Sequence, residues 1–236
     1  LRVVVTRPEI SAAKTAERLR LLGHDPVLLP LSKAMHHPQV ATDALALPHS
    51  ALIVTSAEAL RALANTDYSS EIGRNIQLFA VGEKTATAAN AAGFGNIHIG
   101  AGNGTGLADL IASTLDKPDL PLLYLAGKPR AGSLEGRLEE LGLPVRVAEI
   151  YEMIPVEYPP EEFYERLRTR PPQAVLLYSR ENALRFFEIV ERHALSFTET
   201  KILCISTRTA DAVPAAFRAH LRIAESPDEN ALLALL

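Results

Sequence analysis

Six turns concentrate the residues of this chain that could do chemistry. Each follows a short apolar run: Thr6-Arg7, Thr55-Ser56, Gly82-Glu83-Lys84-Thr85, Gly127-Lys128-Pro129-Arg130, Ser179-Arg180 and Ser206-Thr207-Arg208-Thr209. Five of the six carry Arg or Lys, although the net charge is −4. A small hydroxyl residue or glycine at a helix start leaves backbone N–H groups pointing outward, and the helix dipole favours an anion there. Arg7, Ser56, Gly82, Lys84, Thr85, Gly127, Lys128, Arg130, Ser179, Arg180, Ser206, Arg208 and Thr209 are therefore candidates for holding a ligand rich in carboxylates or phosphates. Taken singly, each Ser or Thr is an ordinary N-cap; repetition is what argues for a ligand. Tyr151 lies where the run VRVAEIYEMIP leaves for a connection. Its phenol could face the space between two lobes, or it could be a half-buried strand tyrosine.

Other chemistries are poorly represented. The run GAGNGTG (100–106) lacks the downstream acid of a dinucleotide site and the GK[ST] ending of a P-loop, so it reads as a mobile loop. His36-His37 is the only histidine pair, and adjacent side chains of an extended segment diverge, so no metal site is expected. Cys204 sits inside an apolar strand and reads as core. No GxSxG elbow is present. An acidic balance disfavours a nucleic-acid partner, and no apolar run approaches the ~18 residues of a membrane span. A lone cysteine and the lack of a signal-peptide pattern make a reducing cytoplasm the expected location.

The elements that must position these turns follow from hydrophobic patterning. With 236 residues, 47% hydrophobic and 22% charged, the chain has ample material for one large core or two smaller ones. Continuous apolar runs (LRVVVT, ALIVTS, QLFAVG, LPLLYLAG, AVLLYS, ILCIS) alternate with helical patterns such as ISAAKTAERLRLL, stopped at Gly23. That alternation predicts parallel sheets with helices wound on both faces. SKAMHHPQVA carries no clear period and reads as a connection, as does the end of VRVAEIYEMIP. The final SPDENALLALL reads as a helix capped by Ser226 or Asp228. One strand–turn–helix phrase is written twice: Ser56 and Ser179 are 123 residues apart, Thr85 and Thr209 are 124 apart, and Gly23 and Gly142 are 119 apart. Two similar halves are expected, either as separate domains or with the first βαβ exchanged between lobes.

Taken in order, LIVTSAEAL, FAVGEKTATAANAAGF, GKPR with LEELGLPV and EIYEMIP, LLYSRENALRFF and CISTRTADAV resemble the uroporphyrinogen-III synthase family over essentially the whole chain. The resemblance implies two doubly wound, flavodoxin-like α/β lobes, pseudo-duplicated and joined by a two-stranded linker, with the active site in the cleft between them. Residues 1–35 and 157–236 would form one lobe, 36–156 the other, and about 32–38 and 151–157 the linker. It also implies cyclisation of hydroxymethylbilane, an eight-carboxylate linear tetrapyrrole, with inversion of ring D and loss of water, in heme biosynthesis. No cofactor or metal is implied. Tyr151 matches the family's tyrosine, here assigned as the acid that assists loss of the hydroxyl; Ser56, Thr85, Ser179 and Thr209 match its hydroxyl positions. A monomer is expected, and a transient handover from the preceding bilane-forming enzyme is a partner interaction this allows. Two rival readings are a non-catalytic binding module for an anionic metabolite and a two-lobed transferase.

Overall fold

The computed structural model describes residues 1–66, 75–116, 118–167, 170–193, 197 and 199–236. Strand β1 (Arg2–Val5) is the apolar run RVVV. Helix α1 (Glu9–Leu21) follows Pro8 and stops before Gly23, whose φ of 78° is readily adopted only without a Cβ. Next come β2 (Asp25–Leu28), β3 (Ser32–His36) and α2 (Pro38–Leu45). The segment read as an aperiodic connection thus contains a helix. Pro38 stands in its first turn, where a missing N–H costs nothing.

The opening repeat then unfolds as β4 (Leu52–Val54), α3 (Ala57–Leu63), β5 (Gln77–Ala80), α4 (Glu83–Ala91) and β6 (Asn96–Ile99). The loop read over GAGNGTG ends at Asn103, and residues 104–106 already belong to a helix. That helix is α5 (Gly104–Thr114), with the Asn103 side chain accepting from the Gly106 N–H at 2.8 Å. After β7 (Leu122–Lys128) comes α6 (Ser133–Glu140). A Cβ on Gly104 would lie 2.7 Å from Ser133 Oγ and 2.9 Å from Leu134 N, so glycine lets α5 and α6 approach closely. The remainder is β8 (Val145–Pro155), α7 (Pro160–Leu167), β9 (Ala174–Leu177), α8 (Arg180–Arg192), β10 (Lys201–Cys204), α9 (Thr207–Ala210), a 3₁₀ turn at Ala215–His220, β11 (Leu221–Ile223) and α10 (Glu229–Leu233). Asp228, not Ser226, caps α10, accepting from the Asn230 and Ala231 N–H groups.

The chain divides into two compact units. Unit 1 is Leu1–Lys33 with Ile154–Leu236; unit 2 is Ala34–Met153. Unit 1 holds a five-stranded sheet, order β11-β10-β9-β1-β2, with parallel neighbours throughout. The second sheet has the order β3-β8-β7-β4-β5-β6, parallel from β8 to β6. The chain passes between units within β3 and β8, which are neighbours at one edge of that sheet. If β7 and β8 are counted as strands 1 and 2, and β4, β5 and β6 as 3, 4 and 5, both sheets share the order 2-1-3-4-5. In the second, the chain enters at strand 3.

Both sheets are covered on both faces, which explains why their strands are continuously apolar. In unit 2, α2, α3 and α4 cover one face together with Leu123, Leu125 and Ile150. Helices α5 and α6 cover the other with Leu122, Tyr124 and Ala126. In unit 1, α7, α8 and α9 lie on one face, α1 and α10 on the other. Cys204 is a core residue with no exposed surface, and burial pushes its thiol up to about 12. Among the described residues no helix is long and apolar enough to cross a membrane.

Candidate active site

A doubly wound sheet binds ligands beyond the carboxyl ends of its strands, where the strand order reverses. In unit 2 that point lies between β4 and β7, so Thr55-Ser56 and Gly127-Lys128 border it. Tyr151 reaches the same place through an irregularity. Strand β8 pairs with β7 in regular register from Leu122↔Val145 to Ala126↔Glu149, then slips by one residue so that Gly127 faces Tyr151. Strict alternation would have put Tyr151 on the opposite face from Ile150. The bulge puts both in the same core cluster, beneath α3.

Tyr151 is only 8% exposed. Burial pushes its phenol above the ordinary value and the Glu58 charge adds to this, while a hydrogen bond from Ser56 and the Arg61 charge work against it. The proton is therefore held well above neutral pH. Ser56 caps α3, its Oγ accepting from the Glu58 N–H at 3.1 Å. Glu58 is bracketed: His36 Nε2 lies 2.8 Å from Oε1, and Arg61 Nε donates to Oε2 at 2.9 Å. Burial alone would raise the Glu58 carboxyl, but Arg61 and His36 hold it below the usual carboxylate range. Asn65 Nδ2 lies 2.8 Å from His36 Nδ1, so the ring is held between Asn65 and Glu58. Buried Tyr124 meets Thr55 at 2.7 Å between the hydroxyls. His36, Glu58, Arg61 and Tyr124 escaped sequence reasoning. The Glu58/Arg61 spacing of three on a helix was the available signal.

The other turns are sorted by their neighbours. The helix-starting positions in the repeat are Ser56 and Ser179, and Gly82 and Ser206, rather than Thr85 and Thr209. Thr85 and Thr209 are third in their helices and only 6% and 2% exposed, so the expectation that their hydroxyls stand open at the turns is corrected. Ser179 accepts from the Asn182 N–H and donates to Asn182 Oδ1 at 2.9 Å; Asn182 Nδ2 in turn donates to the Thr6 carbonyl at 2.7 Å. Ser206 Oγ likewise meets the N–H and hydroxyl of Thr209. These two hydroxyls serve their own helices. Gly82 brings no side-chain cap to α4, which leaves that helix start to backbone N–H groups alone.

The cations divide in the same way. Arg7 donates to Glu229 at 2.8 Å and lies over the Tyr178 ring at 4.4 Å, and Arg130 is held by Glu135 at 2.7 Å and by Glu149. Both are already satisfied, so neither is the open anion ligand expected of it. Lys84 and Arg208 are exposed and make no ion pair among the described residues. Lys128 and Arg180 are exposed, with carboxylates among the described residues no closer than 3.9 and 3.8 Å.

Two parallel sheets of one strand order, each covered by helices on both faces, define a doubly wound α/β protein with a buried phenol at one reversal point. Residues 13–234 match the family model of uroporphyrinogen-III synthase HemD. The fold is similar to the crystal structure of uroporphyrinogen-III synthetase from Helicobacter pylori, with a TM-score of 0.67 and 20% identity over 99% of this chain and 96% of that one. It is also similar to a mutant uroporphyrinogen III synthase from Thermus thermophilus, with a TM-score of 0.53 and 21% identity over 90% and 87%. The chain belongs to the uroporphyrinogen-III synthase family, lyase-type cyclases of tetrapyrrole biosynthesis.

Proposed function

We propose that this chain closes hydroxymethylbilane to uroporphyrinogen III with Tyr151 as the proton donor to the departing hydroxyl. The observation that carries this is the bulge in β8, which brings a buried, protonated phenol to the reversal point of the sheet. As the pyrrole nitrogen pushes electrons toward the hydroxymethyl carbon, the C–O bond breaks and the Tyr151 proton leaves with the oxygen as water. The azafulvenium that forms is attacked by the substituted carbon of ring D. The resulting spiro centre breaks its other methylene bond and re-closes with ring D inverted. The proton lost when the last pyrrole regains aromaticity matches the one Tyr151 gave. Without the enzyme the bilane closes to the uninverted isomer, so holding the chain ends is as much the task as acid catalysis.

Carboxylate binding is assigned to the helix start at Gly82 and to Lys84, Lys128, Arg180 and Arg208, the cations left exposed. Ser56 caps α3 beside Tyr151 and supports its phenol. The enzyme is taken to act as a monomer, with a transient handover from the preceding bilane-forming enzyme as the partner interaction this reading allows. The test supplies freshly made hydroxymethylbilane and resolves the isomer III and I products. Tyr151→Phe should lower kcat by roughly 10²-fold or more, with isomer I gaining at the expense of III. Full turnover and unchanged isomer ratio in Tyr151→Phe would remove the acid role; isomer I alone from the unmodified chain would remove the activity.

A further inference from the structure

We propose that Gly127 is a positioning residue for Tyr151, not a substrate ligand: its missing side chain is the seat on which the phenol ring rests. A Cβ at Gly127 would collide with the Cζ and Oη atoms of Tyr151 and lie 2.5 Å from its Cε2. No real Cβ tolerates such contacts, so any side chain at this position must displace the ring. Space alone sets the requirement. Gly127 is not among the glycines with positive φ, so its backbone would accept alanine without strain.

The neighbouring residues show why the seat falls at this position. Leu123 and Leu125 point to the face covered by α3, and alternation along β7 puts position 127 on that face too. Every earlier residue of that row is a large apolar side chain. The one-residue slip after Ala126↔Glu149 then turns Tyr151 onto the same face and directly opposite Gly127. A bulge re-aims a side chain; here it aims the ring at the single bare position of its partner strand. The two features work only together. Without the slip, Tyr151 would face the α5–α6 side; without the glycine, the ring would have no room where the slip delivers it. The phenol Oη is thereby held against the backbone of β7, near the Ser56 cap on the next strand's turn.

This inference rests on the reading of Tyr151 as the acid, and its test separates the two. Gly127→Ala is compared with Tyr151→Phe, Tyr151→Ala and the double variant Gly127→Ala/Tyr151→Ala. In enzyme made with tyrosine carrying ¹³C at Cζ, the Tyr151 resonance is identified as the one missing from Tyr151→Phe. In Gly127→Ala that resonance should shift and its titration midpoint should fall toward the ordinary value of about 10. In the same variant kcat should drop at least 10-fold with KM changed less than threefold. In the Tyr151→Ala background there is no ring to displace, so adding Gly127→Ala should change neither kcat nor Tm. If Gly127→Ala is too unstable to study, the double variant should still melt where Tyr151→Ala does. An unmoved resonance, or an equal loss of activity or Tm in the Tyr151→Ala background, overturns the proposal. If Tyr151→Phe is fully active, the acid role falls, and the resonance still decides whether Gly127 seats the ring.

Discussion

Glu229→Gln is the perturbation whose cost can be worked most fully from the structure. Four donors converge on this carboxylate: Thr15 Oγ1 at 2.5 Å, Arg7 Nη1 at 2.8 Å and Tyr178 Oη at 3.1 Å on Oε1, and Arg18 Nη1 at 2.8 Å on Oε2. The Glu229 side chain is 15% exposed, that of Arg7 26% and that of Arg18 39%. The amide retains one acceptor oxygen but turns an N–H toward Arg18 and leaves two guanidinium groups without their shared negative charge. A hydrogen bond to a charged group contributes about 1.5–3 kcal/mol. The Arg18 share is discounted for solvent screening, and a first-turn carboxylate in α10 adds about 0.5 kcal/mol. The expected loss is about 3 kcal/mol in unit 1, or a fall in Tm of about 10 °C at roughly 3–4 °C per kcal/mol. Urea unfolding followed by circular dichroism at pH 7 measures it.

A pH series supplies the sign. Burial pushes the Glu229 carboxyl up, but the Thr15 hydroxyl, Arg7, Tyr178 and Arg18 together hold it below the usual value of 4.5. A carboxyl with a depressed folded value stabilises above its unfolded value and loses that contribution as pH falls through the folded one. The difference between wild type and Glu229→Gln should therefore be full at pH 6–7 and shrink below about pH 4. Unfolding free energies within about 0.5 kcal/mol of each other at pH 7 would refute the reasoning, since the network would then contribute nothing net.

Four further outcomes follow from the same geometry. Asn182→Ala removes the 2.7 Å bond to the Thr6 carbonyl in a buried place and should cost about 1–2 kcal/mol in urea unfolding. Cys204, buried and with its thiol raised to about 12, should resist an aromatic disulfide reagent at pH 8 in the native state and react at once in denaturant. Lys84→Met and Lys128→Met should each raise KM several-fold, more at low than at high salt, with kcat little changed. Because the Tyr151 phenol is raised, the alkaline fall in kcat attributable to it should lie above the ordinary tyrosine value of 10.0, read from a pH–rate profile on enzyme that is still folded.

Sequence reasoning worked where interactions are local. Ser56, Ser179 and Ser206 all cap helices, as small hydroxyls before alanine-rich runs should. Apolar runs alternating with helical patterns anticipated parallel sheets covered by helices on both faces. Sequence reasoning missed α2, although Pro38 in a first turn was a readable start signal, and the run of glycines hid that Asn103 caps α5 and that residues 104–106 are already helical.

Legible from the sequence alone are therefore most of the strands and helices, α2 excepted, the turns that precede them, and the family that the ordered motifs resemble. Tertiary structure decided which of those turn residues are open. Arg7 is satisfied by Glu229, 222 positions away, and His36 finds Glu58 across 22; neither pairing has a local signature. Above all, it decided where Tyr151 points. Periodicity assigns a strand residue to a face by counting in twos, and one slipped residue after Ala126 reverses the count. That slip is set by how β8 lies against β7, with room made by the missing side chain of Gly127, so the placement of this tyrosine depends on its neighbour strand as well as on its own.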